Sequence, residues 1–191
     1  MNMSEKKSSP VLTVILILAC IAVMGVGIFL TRGKNAPASS AGEESSYITA
    51  VDGLAQGQPG DVMRNVFFDF KVNSWRTSDS YEDLKAAKDM NLIIVNVSVS
   101  NPTGYPLSMF DSDFQIAYGS GEDDWEVPLT YYDSSNFRNG MLESEYTVAA
   151  NKKVSGDLVF SVPVEADLLY LVYEEYFENG EYGDLYVVEL K

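Results

Sequence analysis

Hydrophobic positions along the chain fall into three regimes. Between Pro10 and Leu30 lie 21 residues without a charge, polar only at Thr13 and Cys20. From Asn35 to about Asp61 apolar side chains give way to Ala, Ser, Gly, Pro, Glu and Gln. From Val62 onward the period becomes two, the spacing of a strand with one face inward. Val66, Phe68, Phe70 and Val72 form the first such run. Ile93, Val95, Val97 and Val99 form the next, alternating with Asn96 and Ser98. Phe114, Ile116 and Tyr118 repeat the pattern, as do Leu158, Phe160 and Val162, while Trp125 to Tyr131 is a less regular candidate. Leu168–Phe177 and Leu185–Leu190 close the chain, with Asn179-Gly180 between them as a turn. About seven strands joined by Gly, Pro, Asn and Ser turns predict an all-β, antiparallel β-sandwich. Only Tyr81–Met90 reads as a helix, with Ser80 and Asp83 placed to cap it and Leu84, Ala86 and Ala87 favouring it.

The first regime has the length of a membrane span. As a helix its residues cover about 31 Å, close to the hydrocarbon thickness of a bilayer. A core helix of that length would show a polar face, and this one shows none. The organisation expected is therefore a cytoplasmic tail over 1–9, a transmembrane helix over 10–31, a flexible linker over 32–61 and a sandwich domain over 62–191. A flexible 27-residue tether reaches roughly 28 Å, which holds the domain close to the membrane. Lys6 and Lys7 with the free amine before the span, against Arg32 and Lys34 after it, slightly favour a cytoplasmic N-terminus and an extracellular domain.

Charge divides the chain at the same place. Residues 1–34 carry Lys6, Lys7, Arg32 and Lys34 against Glu5, a net +3, which leaves 9 basic and 27 acidic residues, net −18, for the rest. Such a surface repels phosphate, so nucleic acid is excluded as a partner. The absence of histidine removes a Ser-His-Asp triad and the commonest metal ligand. A single cysteine excludes an intrachain disulfide, a CxxC redox pair and a Cys-rich zinc site. That cysteine, Cys20, ends Ile17-Leu18-Ala19-Cys20, a sequence like a lipoprotein processing box and so a candidate lipidation site. The apolar run from Ile21 to Leu30 favours instead an ordinary cysteine within a span.

Several segments carry a resemblance. Phe68-Asp69-Phe70-Lys71-Val72 opens the domain, and Ile94 to Asn101 forms a long strand ending in Asn. Met109-Phe110-Asp111-Ser112-Asp113-Phe114, then Gly156 to Pro163, then Leu171-Val172-Tyr173-Glu174-Glu175-Tyr176-Phe177 follow in order. From about Val62 to Leu190 the chain resembles the bacterial immunoglobulin-like family catalogued as domain of unknown function 4352. That family is related to the secreted immunoprotective extracellular antigens of mycobacteria. The resemblance implies an immunoglobulin-like sandwich tethered to a Gram-positive membrane by a lipoprotein signal or a span. It carries over no catalytic residues. The chain departs from the family where a glycine often precedes the long strand, at Lys88 to Asn91, and in the apolar sequence after Cys20.

Candidate chemistry lies in carboxylates and aromatics. Asp111 and Asp113 sit two apart, on one face if the segment is extended. With Glu122, Asp123 and Asp124 they could offer oxygen ligands to calcium. The competing reading is a loop-to-strand junction in which Asp satisfies backbone N–H groups. Asp111 with Asp113, or Glu143 with Glu145, meets the residue-type requirement of a carboxylate hydrolase, as would nearly any acidic sequence. Tyr131, Tyr132, Phe137, Tyr173, Tyr176, Phe177 and Tyr182 cluster towards strand ends and loops. Those that are exposed offer stacking surfaces for sugars or peptides, and those that are not fill the core.

The function expected is a non-enzymatic, membrane-anchored binding module on the cell surface, with a basic protein, a cationic peptide or another membrane protein as partner. The alternatives are a calcium- or small-ligand-sensing domain and, further off, a wall-directed hydrolase.

Overall fold

The computed structural model describes residues 47–121 and 123–191. The expected tail, the span over 10–31, Cys20 and the linker up to residue 46 lie outside the described residues. No helix among the described residues is long and apolar enough to cross a membrane. The compact unit comprises Ser45–Gly119 and Asp124–Lys191.

Two five-stranded sheets enclose its core. The first runs in the order β1 (Tyr47–Ile48), β3 (Val62–Arg64), β4 (Asp69–Ser78), β7 (Met90–Ser100) and β12 (Lys153–Pro163). The second runs β10 (Trp125–Glu126), β9 (Phe114–Ala117), β13 (Tyr170–Tyr176), β14 (Tyr182–Glu189) and β2 (Leu54–Gly57). Two small antiparallel pairs, β8 (Leu107–Phe110) with β11 (Glu145–Val148) and the hairpin β5 (Ser80–Tyr81) with β6 (Leu84–Lys85), complete it. A β-sandwich is thus the fold, with more and shorter strands than the seven expected.

The sheets are mixed rather than purely antiparallel. β1 runs parallel to β3, and β2 runs parallel to β14. Both parallel strands lie before Asp61, within residues assigned to the linker on composition. Polar composition misled because an edge strand is held by main-chain hydrogen bonds and needs few apolar side chains. β2 buries little more than Ala55.

Period-two patterning explains the inner faces. The pairs Phe70↔Val99, Val72↔Val97 and Trp75↔Val95 set β4 against β7, and Val99↔Val154, Val95↔Leu158 and Ile93↔Phe160 continue the rows into β12. On the facing sheet Phe114, Ile116, Leu171, Tyr173, Tyr186 and Val188 project into the same core. Its centre is aromatic: Phe68, Phe70, Phe114 and Tyr173 meet with ring centroids 4.9–6.3 Å apart, and Phe70 lies 6.3 Å from Tyr186. Tyr173, grouped by sequence with the surface aromatics, is buried here. Val66 is the reverse case, 65% exposed although its parity placed it inward. It precedes β4, and the chain turns at Asn65, so the alternation does not extend to it.

The segment Tyr81–Met90 is not a helix. Tyr81 pairs with Leu84 across a tight hairpin whose turn places Glu82 at φ 51°. Tyr81 joins Leu92, Ile94, Met141 and Val159 in a second apolar cluster, with Leu84, Ala86 and Leu129 packed against it. Ile94 and Val159 face away from the main core, and covering them decides the conformation over local helix propensity. Asp89 sits at φ 63° immediately before β7. It adopts the left-handed conformation that a glycine takes most readily, within the Lys88–Asn91 stretch that lacks one.

Candidate functional site

The two aspartates expected to share a strand face lie instead in a single 3-10 turn, Asp111–Asp113. Asp111 is 1% exposed and its carboxylate accepts a hydrogen bond from the Thr130 hydroxyl on the short helix α1 (Leu129–Tyr132). Asp113 accepts from the Phe110 backbone N–H at 2.9 Å and so closes its own turn. Burial raises the pKa of both carboxyls. Each carboxylate thus accepts from the protein, in the structural role of a loop-to-strand junction. Asp124 follows a different geometry, its carbonyl accepting from Tyr118 N–H at 2.9 Å. Glu122 lies outside the described residues. Among the described residues no group of three or more acidic or cysteine side chains is placed to hold a metal ion. The calcium expectation for Asp111, Asp113, Glu122, Asp123 and Asp124 therefore has no support in the geometry of its described members. Glu143 and Glu145 are exposed.

The six candidate binding aromatics separate into two groups. Tyr131 and Tyr132 on α1, and Phe137 just after the 3-10 turn Ser134–Asn136, are exposed. The Tyr131 and Tyr132 rings meet edge to face at 5.6 Å. The Tyr132 hydroxyl donates to Glu126, a bond that pushes its pKa up to about 12. Tyr176, Phe177 and Tyr182 form the β13–β14 hairpin. Trp125 is in register with Ala117, and Ala117 with Tyr170, so β10 lies level with the start of β13, with β9 between them. Tyr176 is six residues further along that strand, about 20 Å at ~3.3 Å per residue. The fold therefore does not merge these aromatics into one surface.

The hairpin group is the more built of the two. Tyr176 and Tyr182 are a cross-strand pair with rings 5.2 Å apart, 59% and 52% exposed. Phe177 packs on Phe67 at 5.5 Å, which brings the Asn65–Phe68 loop against the hairpin. Beneath them the ladder shifts register between Glu174 and Tyr176, opposite Gly183 and Asp184. Glu175 fills that irregularity and is 2% exposed. Its carboxylate accepts from Val66 N–H at 3.0 Å, from Asp184 N–H at 3.0 Å and from the Tyr186 hydroxyl at 3.3 Å. A Cβ on Gly183 would come within 2.6 Å of that carboxylate and of the Phe177 ring, so the bulge requires glycine there. Asn65 shapes the loop from within, its Oδ1 accepting from Phe67 N–H at 2.7 Å and Phe68 N–H at 2.8 Å. Its Nδ2 is buried without a hydrogen-bond partner.

Glu175, Asn65, Val66 and Phe67 were not among the candidate site residues read from the sequence. A signal existed for Glu175: it follows Tyr173 by two in an alternating strand, so strict parity sends a carboxylate inward. Its neighbour Glu174 faces away from the core and is half-buried, and burial alone pushes its pKa up to about 7.

A family model described as "Domain of unknown function (DUF4352)" matches residues 58–182. The chain belongs to this family. Its matched segment runs from just after β2 to the start of β14 and so includes the 3-10 turn, both aromatic groups and Glu175. Among solved structures it is similar to the candidate lipoprotein ycdA of Bacillus subtilis, with 21% identity and a TM-score of 0.51. That likeness covers 68% of this chain and 38% of ycdA, so the chain spans well under half of that neighbour's length. The yjhA protein of Bacillus subtilis is 18% identical with a TM-score of 0.46, over 71% of this chain and 99% of that one. An uncharacterised β-sandwich protein of Clostridium difficile is 12% identical with a TM-score of 0.43, over 80% of this chain and all of the other. At these identities the ycdA likeness speaks for the fold alone. No curated protein matches the chain.

Proposed function

We propose that this DUF4352 protein is a non-enzymatic binding module, held at the outer face of a bacterial membrane by the span over 10–31. The partner is a basic surface or membrane protein. The observation that carries this reading is the pair Tyr176 and Tyr182, large rings left more than half exposed on a domain side of net −18. Exposed tyrosines offer contact area at small entropic cost, and the acid excess selects against anionic polymers and lipids. The test is cross-linking of the full-length chain in the membranes of its source cells, against an unrelated tethered acidic sandwich of similar charge. One basic protein recovered with this chain alone is the expected outcome. Recovery of the same set with both chains, or of no protein, overturns the reading.

A further inference from the structure

The β13–β14 hairpin concentrates one sign of charge around its aromatics. From Glu174 to Asp184 the chain holds Glu174, Glu175, Glu178, Glu181 and Asp184 with no lysine or arginine. Glu175 is the buried clamp beneath, whereas Glu178 and Glu181 are exposed on either side of the Asn179-Gly180 turn, with Asn179 Nδ2 donating to the Glu181 carboxylate at 2.8 Å. Tyr176 and Tyr182 therefore sit at 5.2 Å from each other on a strip rimmed by carboxylates. The tips of this strip are pinned. The Glu175 carboxylate accepts from the Val66 and Asp184 amides, Phe177 N–H donates to the Glu181 backbone carbonyl at 2.9 Å, and Gly180 N–H donates to the Phe177 backbone carbonyl at 2.8 Å.

We infer that this strip is the docking site of the module, and that it takes a lysine- or arginine-bearing extended peptide segment of the partner. The inference rests on the binding-module reading and specifies where and how it acts. An ammonium or guanidinium group stacks against the faces of Tyr176 and Tyr182, where the ring quadrupole attracts it. Glu178 and Glu181 supply the opposite charge at the rim, which raises the rate of encounter and fixes the sign of the partner. Glu175 is a positioning residue, holding the bulged strand in register beneath the Tyr176–Tyr182 pair. A partner carrying carboxylates or phosphates has no complement on this strip.

The experiment is a titration of the full-length chain, in detergent and at low ionic strength, with a short oligolysine peptide, using oligoglutamate as the opposite-charge probe. Wild type is expected to bind oligolysine and not oligoglutamate. Joint replacement of Tyr176→Ala and Tyr182→Ala is expected to weaken binding about tenfold. Tyr176→Phe with Tyr182→Phe keeps the rings and should bind as wild type does. Glu178→Lys with Glu181→Lys is compared with Glu165→Lys and Asp167→Lys, exposed acids before β13 that change the net charge equally. Loss with the hairpin pair alone supports the site. Equal loss with both pairs, or no loss on removing the tyrosine rings, overturns it. Unfolding temperatures within a few degrees of wild type show that the variants are folded. The broader reading is separated by cross-linking in cells. A partner captured equally by wild type and by the Tyr176→Ala, Tyr182→Ala chain overturns the site and leaves the binding module standing, whereas failure to capture one overturns both.

Discussion

Replacing Glu175 by glutamine changes one atom in a buried carboxyl group, and the structure states which contacts that atom serves. One carboxylate oxygen accepts from Val66 N–H and Tyr186 O–H, the other from Asp184 N–H. A glutamine retains a single acceptor oxygen, so one of the two sides must face an NH2 group. Either Val66 N–H or Asp184 N–H is then left buried against another donor. An orphaned buried donor costs about 1–3 kcal/mol, and relief from burying a full charge offsets part of it, so Glu175→Gln should destabilise by about 2 kcal/mol. Glu175→Ala removes all three acceptor contacts and leaves a void, for a loss of about 3–5 kcal/mol. Urea unfolding followed by the fluorescence of Trp75 and Trp125 measures both. Thermal unfolding should fall by about 4–8 °C for the glutamine variant. Hydrogen exchange adds the local signature, because protection should drop first at the amides of Val66 and Asp184. A glutamine variant within about 0.5 kcal/mol of wild type, with both amides as protected as before, would refute the assigned role of the carboxylate.

Phe70→Ala removes a ring that lies 5.3 Å from Phe114 and 6.0 Å from Tyr173, and should cost about 3–5 kcal/mol in urea unfolding. Gly156→Ala places a methyl 2.8 Å from the Leu142 backbone nitrogen, so the bond from Leu142 N–H to the Asp157 carbonyl must stretch. A loss of about 1–3 kcal/mol is expected, and an unchanged urea midpoint would contradict this packing. Glu174 has its pKa raised from 4.5 to about 7 by burial, so the folded chain holds that proton more tightly than the unfolded chain. Its stabilising contribution is complete below about 4.5 and is lost as pH rises through about 7. After allowance for partial exposure the loss is about 1–2 kcal/mol. Glu174→Gln should flatten the stability profile over that window, and an identical slope in wild type and variant would remove Glu174 as its source.

Sheet faces were legible in the sequence because a strand's side chains alternate whatever it pairs with. Ile93, Val95, Val97 and Val99 therefore announced an inward face of β7, and Phe114, Ile116 and Leu158 did the same elsewhere. The pairing of Tyr176 with Tyr182 was likewise near the surface of the sequence, since Asn179-Gly180 marks the turn between them. Three features depended on contacts distant in sequence and were decided only by the tertiary structure. Residues 54–57 became a strand because β14 offered its free edge, a backbone interaction that side-chain composition does not encode. Tyr81 to Met90 adopted a hairpin because Ile94 and Val159 required cover, which outweighed a local helix preference of a few tenths of a kcal/mol per residue, in rough terms. Glu175 became a clamp because folding delivered the Val66 amide, 109 residues away, to a carboxylate that strand parity had already turned inward. Alternation thus decides which way a side chain points, whereas the partner it finds there depends on which segments the closed sandwich brings together.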